Sequence, residues 1–423
     1  MRALPFAILI ASALAAPAFS QGQAPSITGI SLDGLVQDVV AQNPERQFYL
    51  RQLATAGIER QAAGRWADPE AVVEFGQRRA NDPVSGELLG DGATFAVSIV
   101  QPIEFGGRIA LRRAIAERQI ELARMGMQQF DATLAARVRA LGFGLFAANE
   151  KAVVARTVAG RMRALARVMV SRDPAGPAPR LDAAALQATA ISAERTAAAA
   201  DAEANTILYE LNQLRGAPFA GRLRIIRPDT SLPDLPPSTA LAAKANLNNF
   251  ELRALRAQFE QQGLRVDLAK KQRLPKVSVG PYYDHARSDI RETNIGLRLS
   301  TSLPVWNREA GEVAVEQGRQ AQANAALLDA ERKVARQVFD QAAQYETKRE
   351  ALAHWGNTSL QRLAEAAEDA DRNFQLGAIP LTTYTQMQQS YLEATNAVLD
   401  TRHEAIAALL QLRALNGGDD LTP

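Results

Sequence analysis

The chain contains no cysteine and few aromatic residues, although it is 423 residues long. Without cysteine it forms no disulfide framework, no thiolate metal site, no thiolate nucleophile and no lipid attachment through a thiol. Aromatic residues make up 6% of the chain, whereas alanine, arginine, glutamate and glutamine are abundant in its middle. This composition favours long, thinly packed helices over a thick aromatic core.

The chain also lacks an excess of charge of one sign and the common motifs of enzyme active sites. Lysine and arginine number 48 against 46 acidic residues, so we expect no nucleic-acid partner. The histidines, His285, His354 and His403, lie far apart, and the metalloprotease, phosphate-loop and hydrolase-elbow motifs are absent. We therefore expect surface or packing histidines, no metal site, no cofactor and no catalytic residues, and an enzyme is the weakest functional class.

Apolar runs long enough for a membrane-spanning helix are absent after the N-terminus. Arg2 is followed by the run LPFAILIASALAA and by small residues around Ala16, Ala18 and Ser20. This pattern predicts a signal peptide over residues 1–20, with the mature chain starting near Gln21. A transmembrane anchor, the alternative, needs about 20 apolar residues. Any membrane insertion of the mature chain is then expected to use strands.

The two halves of the chain match each other weakly but in the same order. The matched residues are Leu35, Asn43, Glu45, Gly57, Pro69, Leu214 and Gly216, which recur as Leu241, Asn249, Glu251, Gly263, Pro275, Leu415 and Gly417. We interpret the chain as two structural repeats, at 21–217 and 245–418. A linker at 218–244 joins them, and a tail at 419–423 follows.

Proline is absent from four long stretches, at 103–173, 180–217, 305–379 and 381–422. Because proline disrupts a helix interior, these stretches predict helices, the longest on the order of 100 Å. Apolar residues at spacings of three and four predict coiled-coil packing between them. The residues are Met127, Phe130, Leu134, Val138, Leu141 and Leu145, and Tyr384, Met387, Tyr391 and Val398.

Four segments alternate polar and apolar residues instead of following a helical period. They lie at about 71–79, 94–102, 277–285 and 295–303. Each has the length of a membrane-spanning β-strand, about 9 to 11 residues. Three aromatic residues lie at the helix-proximal ends of these segments, where they fit a membrane-interface girdle and ordinary packing at a helix start equally well: Trp66, Phe105 and Trp306.

Four strands are too few to close a barrel, and open strand edges in lipid leave backbone groups unsatisfied. The strands are therefore expected to pair with those of further copies, and three copies would supply a twelve-stranded barrel. The predicted fold is mainly α, with long coiled-coil hairpins forming a tunnel and a small transmembrane β part.

The order of these pieces resembles the TolC-like outer-membrane efflux factors. The resemblance extends from LDGLVQDVVAQNPE at 32–45 to LLQLRALNG at 409–417. The strand-to-helix segments EFGGRIALRRA and LPVWNREAGEV are further similar to the heavy-metal, CzcC-like subgroup. The resemblance implies a homotrimer whose barrel lies in the outer membrane of a Gram-negative bacterium and continues as a helical tunnel across the periplasm.

The same resemblance implies a passive channel of a tripartite efflux system. Its partners would be a periplasmic adaptor, also called a membrane fusion protein, and an inner-membrane pump of the RND type, and its cargo heavy-metal cations. A drug-efflux or type I protein-secretion channel of the same family is the alternative. A periplasmic adaptor is less well supported, because it would carry one helical hairpin where this chain has two.

Leu376, Gly377 and Ala378 form the expected adaptor-docking tip, since Gly377 can adopt the positive φ of a tight reversal. The first hairpin turns through SRDPAGPAPR at 171–180, which departs from the family pattern, so docking is not carried over to it.

An acidic cluster precedes that tip and contains Glu365, Glu368, Asp369 and Asp371. In a trimer, such carboxylates would form a ring that attracts cations at a narrow entrance. Helical geometry prevents all four from facing one side, and Glu368 and Asp371 are the expected members. The alternative is a solvated helix face with Arg372 as a local partner.

Overall fold

The computed structural model describes residues 29–171, 177–219, 221–226, 228–287, 291–302 and 310–418. The first half contains β1 (Gly29–Ile30), α1 (Leu32–Gln42), α2 (Arg46–Ala63), β2 (Glu70–Asn81), β3 (Leu88–Ile103), α3 (Arg108–Ser171) and α4 (Pro177–Leu214). The second half contains β4 (Arg224–Ile225), α5 (Ser238–Asn248), α6 (Phe250–Gln272), β5 (Val277–Arg287), β6 (Arg291–Thr301), α7 (Ala310–Gln375) and α8 (Leu381–Leu415). The predicted signal peptide at 1–20, Trp306 and the tail at 419–423 lie outside the described residues.

Two very long helices dominate the molecule, as the proline-free stretches predict. Helix α3 has 64 residues and α7 has 66, so each is about 100 Å long. Within the described ranges, no helix is both long enough and apolar enough to cross a membrane.

The long helices pack as antiparallel hairpins, α3 with α4 and α7 with α8. Leu134, Val138 and Leu145 of α3 are buried against Leu35 of α1 and Leu211 of α4. A second cluster near the hairpin tips joins both hairpins and includes Met162, Leu186, Ala370, Leu381 and Tyr384. The periodic apolar residues therefore serve helix packing.

Each half of the chain presents the same succession of a helix pair, a strand pair and a long helical hairpin. The bounds of the two repeats stay a prediction. The linker predicted over residues 218–244 is corrected at its C-terminal end. Helix α5 begins at Ser238, directly after Pro237 at its N-cap, so the predicted linker runs into this helix. Proline lacks a backbone donor and has a fixed φ, so it suits the place where an extended segment enters a helix.

Two asparagines at matching positions connect the short helices to the ends of the hairpins. The Asn43 side chain donates to the Leu214 carbonyl at 2.7 Å, and its oxygen accepts from the amide of Glu45 at 2.9 Å. The Asn249 side chain likewise donates to the Leu415 carbonyl at 2.9 Å and accepts from the amide of Leu252. Both asparagines are buried, so each satisfies backbone groups that water does not reach.

The segment between the halves follows a fixed path along α7. The buried Tyr345 hydroxyl donates to the Pro233 carbonyl at 2.6 Å, and Arg349 pairs with Asp234. Burial raises the pKa of Tyr345 to about 12, so its hydroxyl stays a donor at neutral pH. Strand β4 of this segment pairs in parallel with β1.

The four longer strands form one antiparallel sheet in the order β2-β3-β5-β6. The sequence predicts the strands correctly, but the bounds 71–79, 94–102, 277–285 and 295–303 are wrong by up to six residues. The first turn is shorter than its polar sequence suggests, because Asp82 closes it. The Asp82 carboxylate accepts from the amides of Val84 and Ser85 at 2.8 and 2.9 Å, so pairing resumes at Leu88. A polar composition therefore does not end a strand where a side chain can fold the turn tightly.

We expect Asn249→Ala to lower the free energy of unfolding by about 2 kcal/mol, because it leaves a buried carbonyl and a helix-start amide without partners. Asn43→Ala should have a similar effect. The measurement is urea unfolding of the detergent-solubilised protein. Asn373→Ala, at an exposed position of α7, is the control. Unfolding of Asn249→Ala at the same midpoint as this control would contradict the capping role.

Candidate functional site: the strand-to-helix junction and the hairpin tip

Two consecutive glycines redirect the chain between β3 and α3. Gly106 and Gly107 both have positive φ, at 75° and 78°, a region that other residues adopt at a cost. Gly106 also lies beside Leu274, two residues after the end of α6, because a Cβ built on it would be 2.9 Å from Leu274 Cδ1. A Cβ on Gly107 would have no neighbour within 4 Å. Both glycines are thus required for conformation, and a side chain on the first would also displace the half-exposed Leu274 side chain.

Arg108, which opens α3, is buried and caps the end of α6. Its Nε and Nη2 donate to the Lys271 carbonyl at 3.1 and 3.0 Å, and Nη2 also donates to the Leu274 carbonyl at 2.6 Å. The last carbonyls of a helix lack intrahelical donors and carry partial negative charge, so a guanidinium suits them. This contact connects the first repeat to the helix that leads into β5.

Arg112 and Arg113 donate in the same way to backbone carbonyls at the end of α2. Arg112 donates to the carbonyls of Ala63 at 3.3 Å and Arg65 at 3.2 Å, and Arg113 donates to Gly64 at 3.1 Å. Arg112 also pairs with Glu104 at 2.6 Å. The arginines in RIALRRA therefore join one helix start to the ends of both helices that enter the sheet.

The predicted aromatic girdle stays a prediction. Trp66 is 55% exposed and Phe105 is 38% exposed, so neither ring is enclosed in a core. Both lie at the junction level. Trp306 lies outside the described residues, so the structure does not test the third member.

The sheet has one apolar face that is open in the single chain. Its exposed apolar side chains are Val73, Phe75, Phe95, Ile99, Ile295, Leu297 and Leu299. The registers Phe75 with Phe95 and Tyr283 with Ile295 place these residues on one side. An exposed apolar face of this kind requires lipid or protein to cover it.

The opposite face is polar and concave. Arg78 of β2 pairs with Glu292 of β6, and Arg298 of β6 lies 4.0 Å from Glu74 of β2 and donates to Ser98 at 3.2 Å. β2 and β6 are the edge strands, which would be about 14 Å apart in a flat sheet. Ion pairs between them show that the sheet curves toward its polar side.

The tip between α7 and α8 is a Schellman turn. Gly377 has φ of 74°, its amide donates to the Phe374 carbonyl at 3.0 Å, and the Ala378 amide donates to the Asn373 carbonyl at 2.8 Å. The expected positive φ of Gly377 is confirmed. Leu376 is 81% exposed at the end of this turn.

The acidic cluster near the tip divides into residues with different partners. Asp369 pairs with Arg372 on the same helix, which matches the alternative of a solvated helix face. Glu365 accepts from Gln361 Nε2 at 3.1 Å. Glu368 is 64% exposed and lies 3.7 Å from Arg161 of α3.

Asp371 faces α8 instead of the exposed side. The buried Tyr384 hydroxyl donates to its Oδ1 at 3.0 Å. Burial, and then the nearby carboxylate, raise the pKa of Tyr384, so its hydroxyl remains a donor at neutral pH. The Tyr384 ring also stacks on Phe374 with centroids 4.9 Å apart. Asp371 thus contributes to hairpin packing, a role that sequence spacing did not reveal.

Metal-ligating side chains are not grouped in the described part of the chain. No set of three or more histidine, cysteine, aspartate or glutamate residues there is placed to hold a metal ion. His285 Nδ1 lies 3.2 Å from Thr293 Oγ1 across two strands.

Comparison with protein families provides the decisive observation, a match of residues 241–418 to the model described as outer membrane efflux protein. Residues 241–418 are therefore similar to the outer membrane efflux proteins. Channels of the outer membrane efflux protein family are trimeric and work with adaptors and inner-membrane pumps. The expected outer-membrane location is confirmed. The proteins of the matching family are channels and not enzymes.

A curated relative matches most of the chain. The pyoverdine export outer membrane protein OpmQ of Pseudomonas aeruginosa is 24% identical over 347 residues, which are 80% of this chain and 71% of that protein. The TolC-like family expected from the sequence is thus supported, whereas the heavy-metal subgroup is not confirmed.

Solved structures share the fold over nearly the whole chain. The CmeC outer membrane channel of Campylobacter jejuni has a TM-score of 0.72 at 14% identity, covering 98% of this chain and 94% of CmeC. CusC, described for its folding and transmembrane channel formation, has a TM-score of 0.71 at 13% identity, covering 93% of each chain. The fold of outer-membrane efflux channels therefore extends to the first half as well.

Replacing the two junction glycines by alanine separates conformation from packing. We expect Gly107→Ala to lower the free energy of unfolding by about 1 kcal/mol, the cost of the left-handed conformation. Gly106→Ala bears the same cost, and because the half-exposed Leu274 side chain can rotate away, we expect it to lose no more than about 1 kcal/mol beyond that. Urea unfolding in detergent measures both. A loss several kcal/mol larger for Gly106→Ala than for Gly107→Ala would show that Leu274 cannot move aside.

Proposed function

We propose that three copies of this chain form a passive outer-membrane channel of a tripartite efflux system. The observation that carries this proposal is the sheet with an apolar outer face, a concave polar face and two open edges, joined directly to helices about 100 Å long. The concave side would line a conduit, and the helices would continue it through the periplasm.

The open edges supply the reason for a trimer. Strands β2 and β6, of 12 and 11 residues, each have a neighbour on one side only within the described sheet. In lipid, each unsatisfied backbone group costs several kcal/mol. Pairing β6 of one copy with β2 of the next removes all edges when the ring closes, and three copies give twelve strands, within the usual range.

The tip of the second hairpin is the proposed docking point for the periplasmic adaptor. Leu376 presents an exposed apolar side chain beside Gly377 and Ala378, and the Schellman turn holds it in place. An apolar residue on a rigid turn suits contact with a helical partner, because little conformational entropy is lost on binding. The inner-membrane pump would supply the energy.

Two classes of cargo are supported by different observations. Similarity of the two strand-to-helix segments to the heavy-metal subgroup favours metal cations. Similarity to OpmQ, named for pyoverdine export, favours a small organic molecule instead. Cation preference at the tip distinguishes them, because an acidic ring at the entrance favours free cations.

Cysteine pairs test the proposed closure of the ring, and the absence of native cysteine removes background. We expect Val73→Cys in β2, combined in turn with Ile295→Cys, Leu297→Cys or Leu299→Cys in β6, to give disulfide-linked ladders up to three chains in at least one pairing. Non-reducing electrophoresis of outer membranes, with native mass spectrometry of the extracted protein, is the measurement.

Val73→Cys with Tyr283→Cys is the matched control, because β5 already has a strand on each side. Ladders with this control would show nonspecific crosslinking. Single chains in every β2–β6 combination, together with a monomeric mass, would contradict the trimeric channel.

Single-channel conductance in planar bilayers with asymmetric salt tests the acidic ring. We expect cation preference in the wild type, lowered by Glu365→Gln and by Glu368→Gln, whose carboxylates are exposed. Asp371→Asn should leave the reversal potential unchanged, because this carboxylate faces Tyr384. Unchanged reversal potentials in both glutamate variants would leave only a solvated helix face at this position.

A further inference from the structure

Two arginines face each other at the end of the sheet that is remote from the helices. Arg287, the last residue of β5, is directly paired in register with Arg291, the first residue of β6. Both are exposed. Like charges directly opposite on neighbouring strands repel each other. Within the described part of the chain, neither guanidinium has an ion-pair partner, and Asp289, between them in sequence, lies outside that part.

These arginines lie on the apolar face of the sheet. Side chains alternate along a strand, so Arg291 is on the same side as Ile295, Leu297 and Leu299, and Arg287 on the same side as Tyr283. The ion pairs of Arg78 and Arg298 lie on the concave side, whereas the Arg79–Asp91 pair, at 3.1 Å, lies on the same face as Arg287, whose partner in β3 is Ala93. The two positive charges border a surface that the proposed function places in lipid.

Their distance from the junction matches the thickness of that lipid. From Leu299 to Arg291 the strand extends eight residues, about 27 Å. With a strand tilt of about 40°, this corresponds to roughly 21 Å along the membrane normal, close to the apolar band of about 25 Å in such barrels. The arginines thus lie near one boundary of the proposed band, separated from Tyr283 and Ile295 by the His285–Thr293 pair on the same face, and the Trp66 and Phe105 level lies at the other boundary.

We propose that Arg287 and Arg291 bind the phosphate groups of the glycolipid in the outer leaflet, the lipid A part of lipopolysaccharide. The proposal rests on the proposed function, which orients this end toward the cell exterior. Two guanidiniums in register match a phosphate bidentately, and the anion cancels their repulsion. The acyl chains of the same lipid cover Ile295 and Leu297 below.

A free phosphate ion carries no acyl chains, so it does not contact the apolar face. Both arginines are exposed at a strand turn, where phosphate would bind weakly in competition with water and salt. Only a ligand that carries phosphate and acyl chains in one molecule uses the charges and the apolar face together. The continuity of the two surfaces therefore favours the lipid.

The full chain, purified in detergent, is titrated with bisphosphorylated lipid A and followed by native mass spectrometry. We expect Arg287→Gln/Arg291→Gln to weaken lipid A binding roughly thirtyfold and each single variant roughly fivefold, the effect of about one surface cation each. Arg287→Lys/Arg291→Lys should retain most of the binding. Lipid A without phosphates should bind the wild type as weakly as it binds the double variant.

Arg78→Gln/Arg298→Gln is the matched control, because it removes the same number of charges from the concave face. Loss of binding in this control equal to that in the outward-facing variant would overturn the proposal, as would unchanged binding in Arg287→Gln/Arg291→Gln. Displacement of lipid A by millimolar inorganic phosphate would instead identify a free-phosphate site. The mass of the assembly in the same spectra reports on the trimeric channel separately.

Discussion

Backbone carbonyls at the ends of α2 and α6 must find donors at the level where the chain changes from helix to strand. Arg108, Arg112 and Arg113 supply those donors from the first turns of α3. Because a single helix start serves two helix ends, the directions in which β2 and β5 leave the helical part are set together. The position of the sheet relative to the hairpins depends on this junction.

Equivalent contacts recur in the two halves of the chain. Asn43 and Asn249 join the short helices to the hairpin ends with equivalent bonds, and Gly216 and Gly417 end α4 and α8 in the same turn geometry. Differences between the halves are then informative. The Arg108 contact crosses from one half to the other, so it joins the two halves and has no counterpart within either half alone.

The elements of the fold could be predicted from the sequence because local rules set them. Proline limits the long helices, and alternation identifies the strands. The strand ends could not be predicted, because Asp82 folds its turn through bonds that composition does not encode. The partners of Arg108 and Asp371 were also missed, since both contacts join residues on different helices. The sequence shows an arginine cluster after two glycines, but the carbonyls that these arginines contact are determined by the tertiary structure.

The central strand pair of the sheet joins the two halves of the chain, with Phe95 opposite His285. These residues are separated by roughly 190 positions, so their pairing requires the closure of a very long loop. Hairpin helices adjoin in sequence and pack through local contacts, which form early. We therefore expect the helical part to fold first and the sheet to complete last. A chain of this topology therefore keeps two separate strand hairpins, β2–β3 and β5–β6, until late in folding, and their joining through β3 and β5 is the last step.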